Sequence, residues 1–533
     1  IRHIYILNEL VPLKSNPKQK KIIKKAARAA QVCLDALHHN SRIKRLRNYV
    51  LINEGEVTTT ERLLETERIL RSFSFLEDAI LKIINVTGTD SIDVYVNTSD
   101  IFSIRPSLRY NNLKDFTVGL TEENFLGTTN QFGLALNYDH NAGIKLKPGI
   151  TFTLRNPFSE FTNFTVQLST FGSNIATGER NEISYGAGFY RPFLSNIFEW
   201  DGGLSYARIF ADNYFKDTSF IKKSYYDSQL WDIWLGYNNK FLRKFKLLGQ
   251  YRSVYLAARA YSRDFSKTPL DFAQNLEFQF IQNKFILFQA SLFHRSFYRV
   301  THMFDLGRPE DIEIGSNLTI RAGPSWRSGI RETYLGTDIQ LNHMLKDDVF
   351  LDINAAIGGF RKNDKLNDLS GYFSALFVPA KQEYRKFYWR NYFSLSYSTI
   401  ANQEFHPLIT VRNERGLLNY GRSDFRGTSR TALLAESQFF FKRTIFGFSI
   451  APLINTQLAL LHSKNTGEAQ VHTSFGVGIR FRNPRLAFNA FDIRGFLFPR
   501  LIESSGGFGI NITSRYYLKK NIQLIQRPEI LIL

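Results

Sequence analysis

Apolar and polar side chains alternate from about residue 115 to the end of the 533-residue chain, and this period of two constrains the fold more than any other feature. In the stretch NQFGLALNYDH (130–140), small or polar residues alternate with large apolar ones. The large apolar side chains, which would share one face of an extended strand, are Phe132, Leu134, Leu136 and Tyr138. Because segments of this kind recur many times, we predict a mostly β fold for this part of the chain.

Two architectures produce this alternation. A soluble protein of several sheets buries the apolar face in a core, whereas a transmembrane β-barrel turns it toward lipid and keeps polar side chains in the lumen. The chain after residue 105 shows no helices interleaved with the strands to cover a soluble sheet. Aromatic residues also cluster at the ends of strands, as in FYWRNYF (387–393) and FHRSFY (293–298). These features favour the barrel.

The length of the region sets the expected number of strands. At about 27 residues for each strand and its connector, the 428 residues from 106 to 533 hold about 16 strands. We therefore predict an antiparallel transmembrane β-barrel of about 16 strands over residues 106–533, preceded by a separate small domain over residues 1–105.

The first 105 residues predict a compact α/β unit. RHIYIL (2–7) alternates like a strand, and helical segments follow at about 18–50 and in TTTERLLETERILRSF (58–73), where threonines precede a glutamate of the first turn. AILKIINV (79–86) and SIDVYVNTS (91–99) are rich in β-formers and are separated by a turn. The predicted order is β-α-α-β-β, with two helices packed on a three-stranded sheet.

Positive charge is concentrated at the start of the chain. The net charge is +20, and residues 1–48 carry 12 Lys and Arg against Glu9 and Asp35, which is +10. Such a balance indicates nucleic acid, a membrane surface or an acidic partner. We predict that a basic segment within it binds a partner, while a merely solvated face is the alternative. The segment comprises Lys20, Lys21, Lys24, Lys25 and Arg28.

Motifs for catalysis, metal binding or a cofactor are not found in the sequence. There is no G-x-S-x-G, H-E-x-x-H or Walker A pattern, and the ten histidines lack ligand spacing. The single cysteine, Cys33, excludes an internal disulfide. We expect no enzyme activity, no cofactor and no metal. Neither a signal peptide nor a run of 18 charge-poor apolar residues is seen in the sequence.

Three stretches carry a resemblance to a known family: VLINEGEVTTTERLLETERILRSFSFLEDAILKI, DSIDVYVNTSDIFSI and VGLTEENFLGTTNQFGLALNYD. On them the chain resembles the BamA/TamA-like superfamily of outer-membrane assembly and translocation proteins, in the Bacteroidota-type form with one POTRA domain. The resemblance implies an outer-membrane barrel with its N-terminal domain in the periplasm. It also implies lipid and other proteins as partners, the latter through the POTRA domain, and no nucleic acid. The implied function is insertion or translocation of proteins through a lateral gate.

The same resemblance gives a meaning to the arginine-rich stretch NERGLLNYGRSDFRGTSR (413–430). In the family, a long loop after the eleventh strand folds back into the barrel and carries an Arg-Gly-Phe/Tyr motif. Here Leu418 and Asn419 stand where the family has Arg-Gly, and Asn455 stands where it has the aspartate that pairs with that arginine. The positions that match the family pattern are Gly416, Leu417, Tyr420, Phe425, Gly427 and Glu436.

The joint loss of both partners is physically reasonable, because replacing both halves of a buried ion pair can be neutral whereas removing one costs about 3–5 kcal/mol. Arginines elsewhere in the stretch offer an alternative anchor, with Glu436 and Asp492 as acidic candidates. These are Arg412, Arg415, Arg422, Arg426 and Arg430. If the anchor is lost, an accessory or structural barrel subunit of a larger outer-membrane complex, without insertase activity of its own, is the alternative function.

The end of the sequence predicts where the barrel closes. We expect a first strand at about 115–123 and a last strand that begins near Phe508. Pro528 cannot donate to a strand ladder, so we expect regular pairing to end before it and PEILIL (528–533) to form a tail near the periplasmic rim or the seam. A strand that pairs through to Leu533 is the alternative.

Overall fold

The computed structural model describes the chain outside residues 11–38, 113, 159–160, 175–179, 215, 217–224, 240–245, 248–249, 252, 270–278, 413–414, 421–424, 446, 464–467, 484–489, 505–506, 514–517 and 519–522. Strands dominate the described residues, and two helices lie near the start of the chain, α1 (Ile43–Arg47) and α2 (Thr60–Arg71). Short 3-10 helices span Phe125–Gly127, Lys346–Asp348 and Pro499–Ser504. No helix in the described part of the chain is long and apolar enough to cross a membrane.

The strands in chain order are β1 (His3–Leu10), β2 (Leu76–Asn85), β3 (Ile92–Asp100), β4 (Ile104–Asn112), β5 (Asp115–Glu122), β6 (Gln131–Asp139), β7 (Leu146–Arg155), β8 (Asn163–Gly172), β9 (Glu182–Arg191), β10 (Trp200–Ala211), β11 (Tyr226–Asn239), β12 (Lys246–Leu247), β13 (Gln250–Tyr251), β14 (Ser253–Lys267), β15 (Asn283–Thr301), β16 (Pro309–Arg327), β17 (Ile330–Met344), β18 (Phe350–Lys362), β19 (Lys365–Val378), β20 (Gln382–Glu383), β21 (Phe387–Ala401), β22 (Ile409–Thr410), β23 (Arg426–Phe441), β24 (Ser449–Ser463), β25 (Ala469–Arg482), β26 (Phe491–Leu497) and β27 (Phe508–Thr513).

The strands from β4 onward form one large antiparallel barrel, in which β27 lies beside β4, except that β12 and β13 form a separate two-stranded sheet. Apart from the two-residue segments β12, β13, β20 and β22, the described residues give it 20 strands. The prediction of about 16 strands is therefore wrong. Some connectors are shorter than expected, since only residues 328–329 join β16 to β17 and only residues 363–364 join β18 to β19.

The barrel wall varies strongly in height around its circumference. β15 and β16 have 19 residues each, whereas β26 has seven and β27 has six. The strand beginning at Phe508 is the last one described, as predicted. The first barrel strand is β4, at 104–112; the expected first strand at 115–123 is the second, β5, and pairs with β4 along its length. The seam of the barrel therefore joins β4 to β27.

The two faces of the wall differ as the alternation predicts. On β6, Leu134 and Leu136 are 49% and 45% exposed on the outer face, whereas Asn137 is fully buried on the inner face. On β24, Ile454 is 53% exposed and the neighbouring Asn455 is buried. An apolar outer face with polar side chains inside is the arrangement of a barrel that stands in lipid.

The N-terminal unit folds as a separate three-stranded sheet in the order β1-β3-β2, with β1 parallel to β3 and β2 antiparallel to it. Within the described residues its elements follow the order β-α-α-β-β. Thr59 caps α2, because its side chain accepts a hydrogen bond from the Arg62 amide at 3.3 Å. Leu70 and Phe75 are fully buried between α2 and the sheet.

Ion pairs join this unit to the barrel. Arg71 on α2 makes two hydrogen bonds of 2.9 Å to the Asp311 carboxylate at the start of β16. Arg308, just before β16, donates to the carbonyl oxygens of Arg71, Phe73 and Leu76, at 2.8–2.9 Å. A cation at the C-terminal end of a helix is favourable. The unit thus sits against one mouth of the barrel, called here the proximal mouth; the opposite end is the distal mouth.

Candidate functional site

The barrel lumen is the candidate site, because at least three segments among the described residues fold into it. They are residues 302–308 between β15 and β16, the described part of residues 409–430 before and within β23, and residues 523–533 after β27. We call them the proximal loop, the lumen loop and the lumenal tail. A large barrel otherwise encloses an aqueous channel, so these segments decide what can pass through it.

The lumen loop packs against the inner face of β23–β26. Leu417 and Tyr420 are fully buried, with Tyr420 sharing a 2.7 Å hydrogen bond with His472 Nδ1 of β25. The ring of Tyr420 lies edge-on to Phe498, at 5.3 Å between centroids, and Phe425 packs at the border of the same cluster. The predicted loop residues Leu417, Tyr420 and Phe425 are therefore brought together by one aromatic and aliphatic cluster.

Two glycines allow the close approach of the loop backbone. A Cβ atom on Gly416 would lie 2.2 Å from the Val411 carbonyl oxygen, and one on Gly427 would lie 2.0 Å from the His462 carbonyl oxygen. Asn419 has a left-handed φ of 53°, a conformation that asparagine tolerates better than most residues. Its Oδ1 accepts a 3.0 Å hydrogen bond from Asn511 of β27, so the loop also contacts the last strand.

The described hydrogen bonds of the predicted loop-partner candidates Glu436 and Asn455 run to side chains of the strands. The Leu418 amide donates to Gln457 Oε1 at 2.8 Å, and Asn455, one inward position away, bonds to Gln457 at 3.3 Å through its own Oδ1. Glu436 lies opposite Asn455 in the β23–β24 register, and it pairs with Arg494. The side chain of Gln457, which the sequence reasoning did not single out, thus takes the place next to the motif.

Glu436 belongs to a buried network of charges on the inner wall of β23, β25 and β26. Arg494 bonds to Glu436 at 2.7 Å and to Asp492 at 2.8 Å, and Arg480 bonds to Asp492 at 2.7 Å. All four side chains are at most 2% exposed. Two arginines balance two carboxylates, and these arginines come from strands, although we had expected loop arginines as the partners of Glu436 and Asp492.

The proximal loop lies inside the proximal mouth, against the inner wall of β18, β21 and β25. The amides of Met303, Phe304 and Asp305 all donate to Glu310 Oε1, at 2.9–3.1 Å. Arg480 of the charge network donates to the Phe304 carbonyl oxygen at 2.9 Å. The network therefore anchors this loop as well as joining three strands.

The lumenal tail lies inside the barrel, against β14–β17. The prediction that it would lie at the periplasmic rim or the seam is wrong, and so is the alternative of a continued strand. Its amide at Leu524 donates to Glu313 near the proximal end of β16, and its amide at Leu533 donates to His406 in the connector at the distal mouth. The chain bends at Leu524 and Ile525. The eight residues after the bend would span about 26 Å if fully extended, slightly less than the thickness of a membrane core.

Side chains of the wall hold the tail mainly through its backbone. The carbonyl oxygens of three alternate residues each accept one hydrogen bond from a different strand, at 2.7–3.0 Å. The pairs are Asn317 of β16 with Leu524, Gln289 of β15 with Gln526, and Arg259 of β14 with Pro528. Because successive carbonyl groups of an extended chain point to opposite sides, this spacing matches the repeat of a strand.

His406 accepts the hydrogen bond from the Leu533 amide as a neutral imidazole. Its Nδ1 lies 2.7 Å from the Pro407 carbonyl oxygen, so Nδ1 carries the proton and Nε2 accepts from the Leu533 amide at 3.2 Å. Burial lowers the pKa of His406, which favours the neutral form.

Some predicted residues lie outside the described part of the chain. They are the basic segment Lys20, Lys21, Lys24, Lys25 and Arg28, together with Cys33 and Arg422. The tail-binding side chains Arg259, Gln289 and Asn317 were missed. Their only sequence signal is that they are polar residues at inward positions of otherwise apolar strands.

Comparison with known proteins gives no match to a protein-family model and none to a curated protein. Among solved structures, the chain is similar to CdiB from Escherichia coli, with 9% identity, 96% of this chain and 89% of that chain covered, and a TM-score of 0.40. It is also similar to CdiB from Acinetobacter baumannii, with 10% identity, 93% of this chain and 86% of that chain covered, and a TM-score of 0.36. A third similar structure is BamA from Haemophilus ducreyi lacking POTRA domains 1–3, with 10% identity, 96% of this chain and 83% of that chain covered, and a TM-score of 0.32. Because these TM-scores are low, the barrel described above rests on the chain's own strand pairing.

Proposed function

We propose that this protein is an outer-membrane barrel of the BamA/TamA-like superfamily that inserts or translocates other proteins. The N-terminal unit, whose element order is that of a POTRA domain, would lie in the periplasm at the proximal mouth. The observation that carries the proposal is a barrel of 20 described strands with segments of its own chain folded into the lumen. A passive pore would need an open lumen, and a purely structural barrel would not need to fill one.

The position of the lumen loop supports the proposed family. Among the described strands, five follow this loop, β23–β27, and a loop after the eleventh of 16 strands would likewise be followed by five. The additional strands therefore lie before the loop. Asn419, where the family has glycine, adopts a positive φ that suits a glycine position.

The seam supports lateral opening. The described part of β27 has six residues and β4 has nine, so few hydrogen bonds can join the described residues of the two strands. The lumen loop contacts β27 through Asn419 and Asn511, and it packs on Phe498 between β26 and β27. Movement of this loop would therefore change the support of the strand that must move for a lateral gate to open.

An accessory barrel within a larger complex is the second candidate. The observation that favours it is the chemistry of the lumen loop, where Leu418 is held by an amide hydrogen bond to Gln457 and no arginine occupies the motif position. In this alternative the fold and the docked N-terminal unit are kept, and the seam stays closed.

A disulfide across the seam distinguishes the two candidates. In a chain with Cys33→Ser, cysteine pairs between residues 106–110 and 509–513 are scanned for a disulfide, which requires Cα atoms within about 7 Å. If the gate opens, the locked chain should deplete other outer-membrane proteins in cells that depend on it, and a reductant should restore them. Quantitative proteomics of the outer membrane measures this.

The matched control is a disulfide between Leu120 and Leu134 after substitution of both by cysteine, since these residues face each other on the neighbouring strands β5 and β6. It should leave activity unchanged. Full activity of the seam-locked chain would contradict lateral opening and would favour the accessory barrel.

Partner binding by the basic segment belongs to this proposal. Reversal of Lys20, Lys21, Lys24 and Lys25 to Glu is expected to reduce the recovery of associated proteins in pull-downs while the barrel still folds, because a concentrated positive charge attracts acidic surfaces. Equal recovery at low salt would contradict this role.

A further inference from the structure

We propose that the inner wall of β14–β17 is a binding groove for an extended, apolar polypeptide segment, and that the lumenal tail (523–533) occupies this groove in cis. The biological meaning of the groove rests on the proposed function, because a transported or inserted chain would be its exchangeable occupant. The groove itself is a property of the wall, and its test needs no transport.

The wall recognises the main chain of the tail. Asn317, Gln289 and Arg259 donate to carbonyl oxygens at alternate residues of the tail, and Tyr334 Oη accepts from the Leu531 amide at 2.9 Å. Every polypeptide carries these groups at the same spacing. A wall that satisfies them can therefore accept many sequences, provided that the segment is extended.

Apolar contacts of the wall select the side chains of the bound segment. Ile525 is buried against Tyr255 and Phe293, and Ile530 packs on a second cluster that includes Phe285 and Tyr334. The two isoleucines are five residues apart. The groove thus favours a segment with large apolar side chains at this separation, since burial of apolar surface stabilises such contacts.

The aromatic walls of both contacts are built over glycines. A Cβ atom on Gly236 would lie 2.0 Å from the Tyr255 hydroxyl oxygen, and one on Gly358 would lie 2.4 Å from that of Tyr334. The rings therefore lie flat against neighbouring strands, in space that no side chain fills. Their positions are set by residues of the wall, which indicates that the groove is formed without the tail.

The charges of the wall at this point are balanced without the tail. Arg259 bonds to Asp232 at 2.7 and 2.9 Å, and the tail adds Arg527, 2.8 Å from Asp232, and Glu529, 3.4 Å from Arg259. The pair on the wall is already neutral. A replacement segment therefore needs no particular net charge at this point.

The topology of the barrel also allows another segment to replace the tail. It contributes no strand to the barrel, and all described strand pairing is complete before residue 514. Its release would leave the barrel wall intact and would expose the groove. The tail is thus placed to compete with any other segment that enters the lumen.

The test is a binding measurement on the full chain in lipid nanodiscs, with a fluorescent peptide of the sequence QLIQRPEILIL (523–533). A variant with Ile525→Asp and Ile530→Asp should release its own tail, because one charge would be buried and the other would lie half-buried in an apolar contact. A tethered segment competes at roughly millimolar effective concentration. The peptide is therefore expected to bind this variant at least about tenfold more tightly than the wild type.

The matched control is Ile532→Asp, since the Ile532 side chain is 64% exposed, and it should bind the peptide as the wild type does. Adding Gln289→Ala and Asn317→Ala to the tail-released variant should weaken binding. A peptide with serine in place of Gln523, Gln526 and Glu529 should still bind, whereas one with aspartate in place of both isoleucines should not.

Equal binding to the wild type and the tail-released variant, or binding to neither, would overturn the groove. If the tail-released variant does not fold, a chain that ends at residue 522 replaces it in the same measurement, with the same expected gain. Failure here with a seam lock that still blocks activity would reject the groove and keep the proposed function. The expected peptide binding together with full activity of the seam-locked chain would keep the groove and reject lateral opening.

Discussion

Deletion of residues 523–533 together with replacement of residues 413–425 by a short Gly-Ser linker is expected to convert the barrel into an open channel. The two segments occupy different sectors of the wall, β14–β17 for the lumenal tail and β23–β26 for the lumen loop. Barrels of 16–18 strands leave an aqueous channel when nothing fills them, and the described part of this barrel has 20 strands. Single-channel recording in planar bilayers measures the effect.

Each single change should raise conductance less than the double change does, because the other segment still fills its sector. The combined effect should exceed the sum of the two. Ile532→Asp serves as the control for the tail, since its exposed side chain should leave conductance at the wild-type level. A double variant that conducts no more than the wild type would show that these segments do not close the lumen.

Substitution of Asp492 by alanine should give the largest loss of stability, because this carboxylate accepts hydrogen bonds from both Arg480 and Arg494. Its removal leaves two buried arginines with Glu436 as their remaining carboxylate in the network. Breaking a buried pair in this way costs about 3–5 kcal/mol. The free energy of unfolding in detergent, followed by tryptophan fluorescence during a denaturant titration, measures the loss.

The double variant Arg480→Ala and Asp492→Ala should be more stable than Asp492→Ala alone, because it restores a one-to-one balance with Glu436 and Arg494. Asp264→Ala is the exposed control: Asp264 pairs with Lys284 at 2.8 Å, and the two side chains are 42% and 47% exposed. Such pairs contribute about 0–1 kcal/mol. A loss for Asp492→Ala as small as that of the control would contradict a role for the network in holding the wall.

The strands, their alternation and the start of the last strand at Phe508 were predictable from sequence, because lipid on one side and polar groups on the other impose a period of two. The number of strands was not, since it depends on connector lengths that the alternation does not mark. β4 was missed as the first strand because its sequence, IRPSLRYNN, contains a proline and few apolar residues. The position of β4 in the barrel is set by its antiparallel pairing with β5.

The contents of the lumen were harder to predict. The resemblance singled out Leu417, Tyr420 and Glu436, and all three are buried on the inner side, but the neighbours of Glu436 are set by strand register. The position of the tail was predicted wrongly, because the apolar sequence EILIL suits a segment at the barrel rim or a strand edge as well as one inside the lumen. Only the wall residues Asn317, Gln289 and Arg259, distant in sequence, show where it binds.

The most direct test of a self-filled lumen is photo-crosslinking in native membranes with benzoylphenylalanine at position 530, followed by mass spectrometry of the crosslinked peptides. Ile530 packs among residues of β15, β17 and β18, namely Phe285, Leu287, Tyr334 and Phe360. We predict intramolecular crosslinks to peptides that contain these residues. Crosslinks confined to lipid, to other proteins or to the N-terminal unit would place the tail outside the barrel and contradict the account.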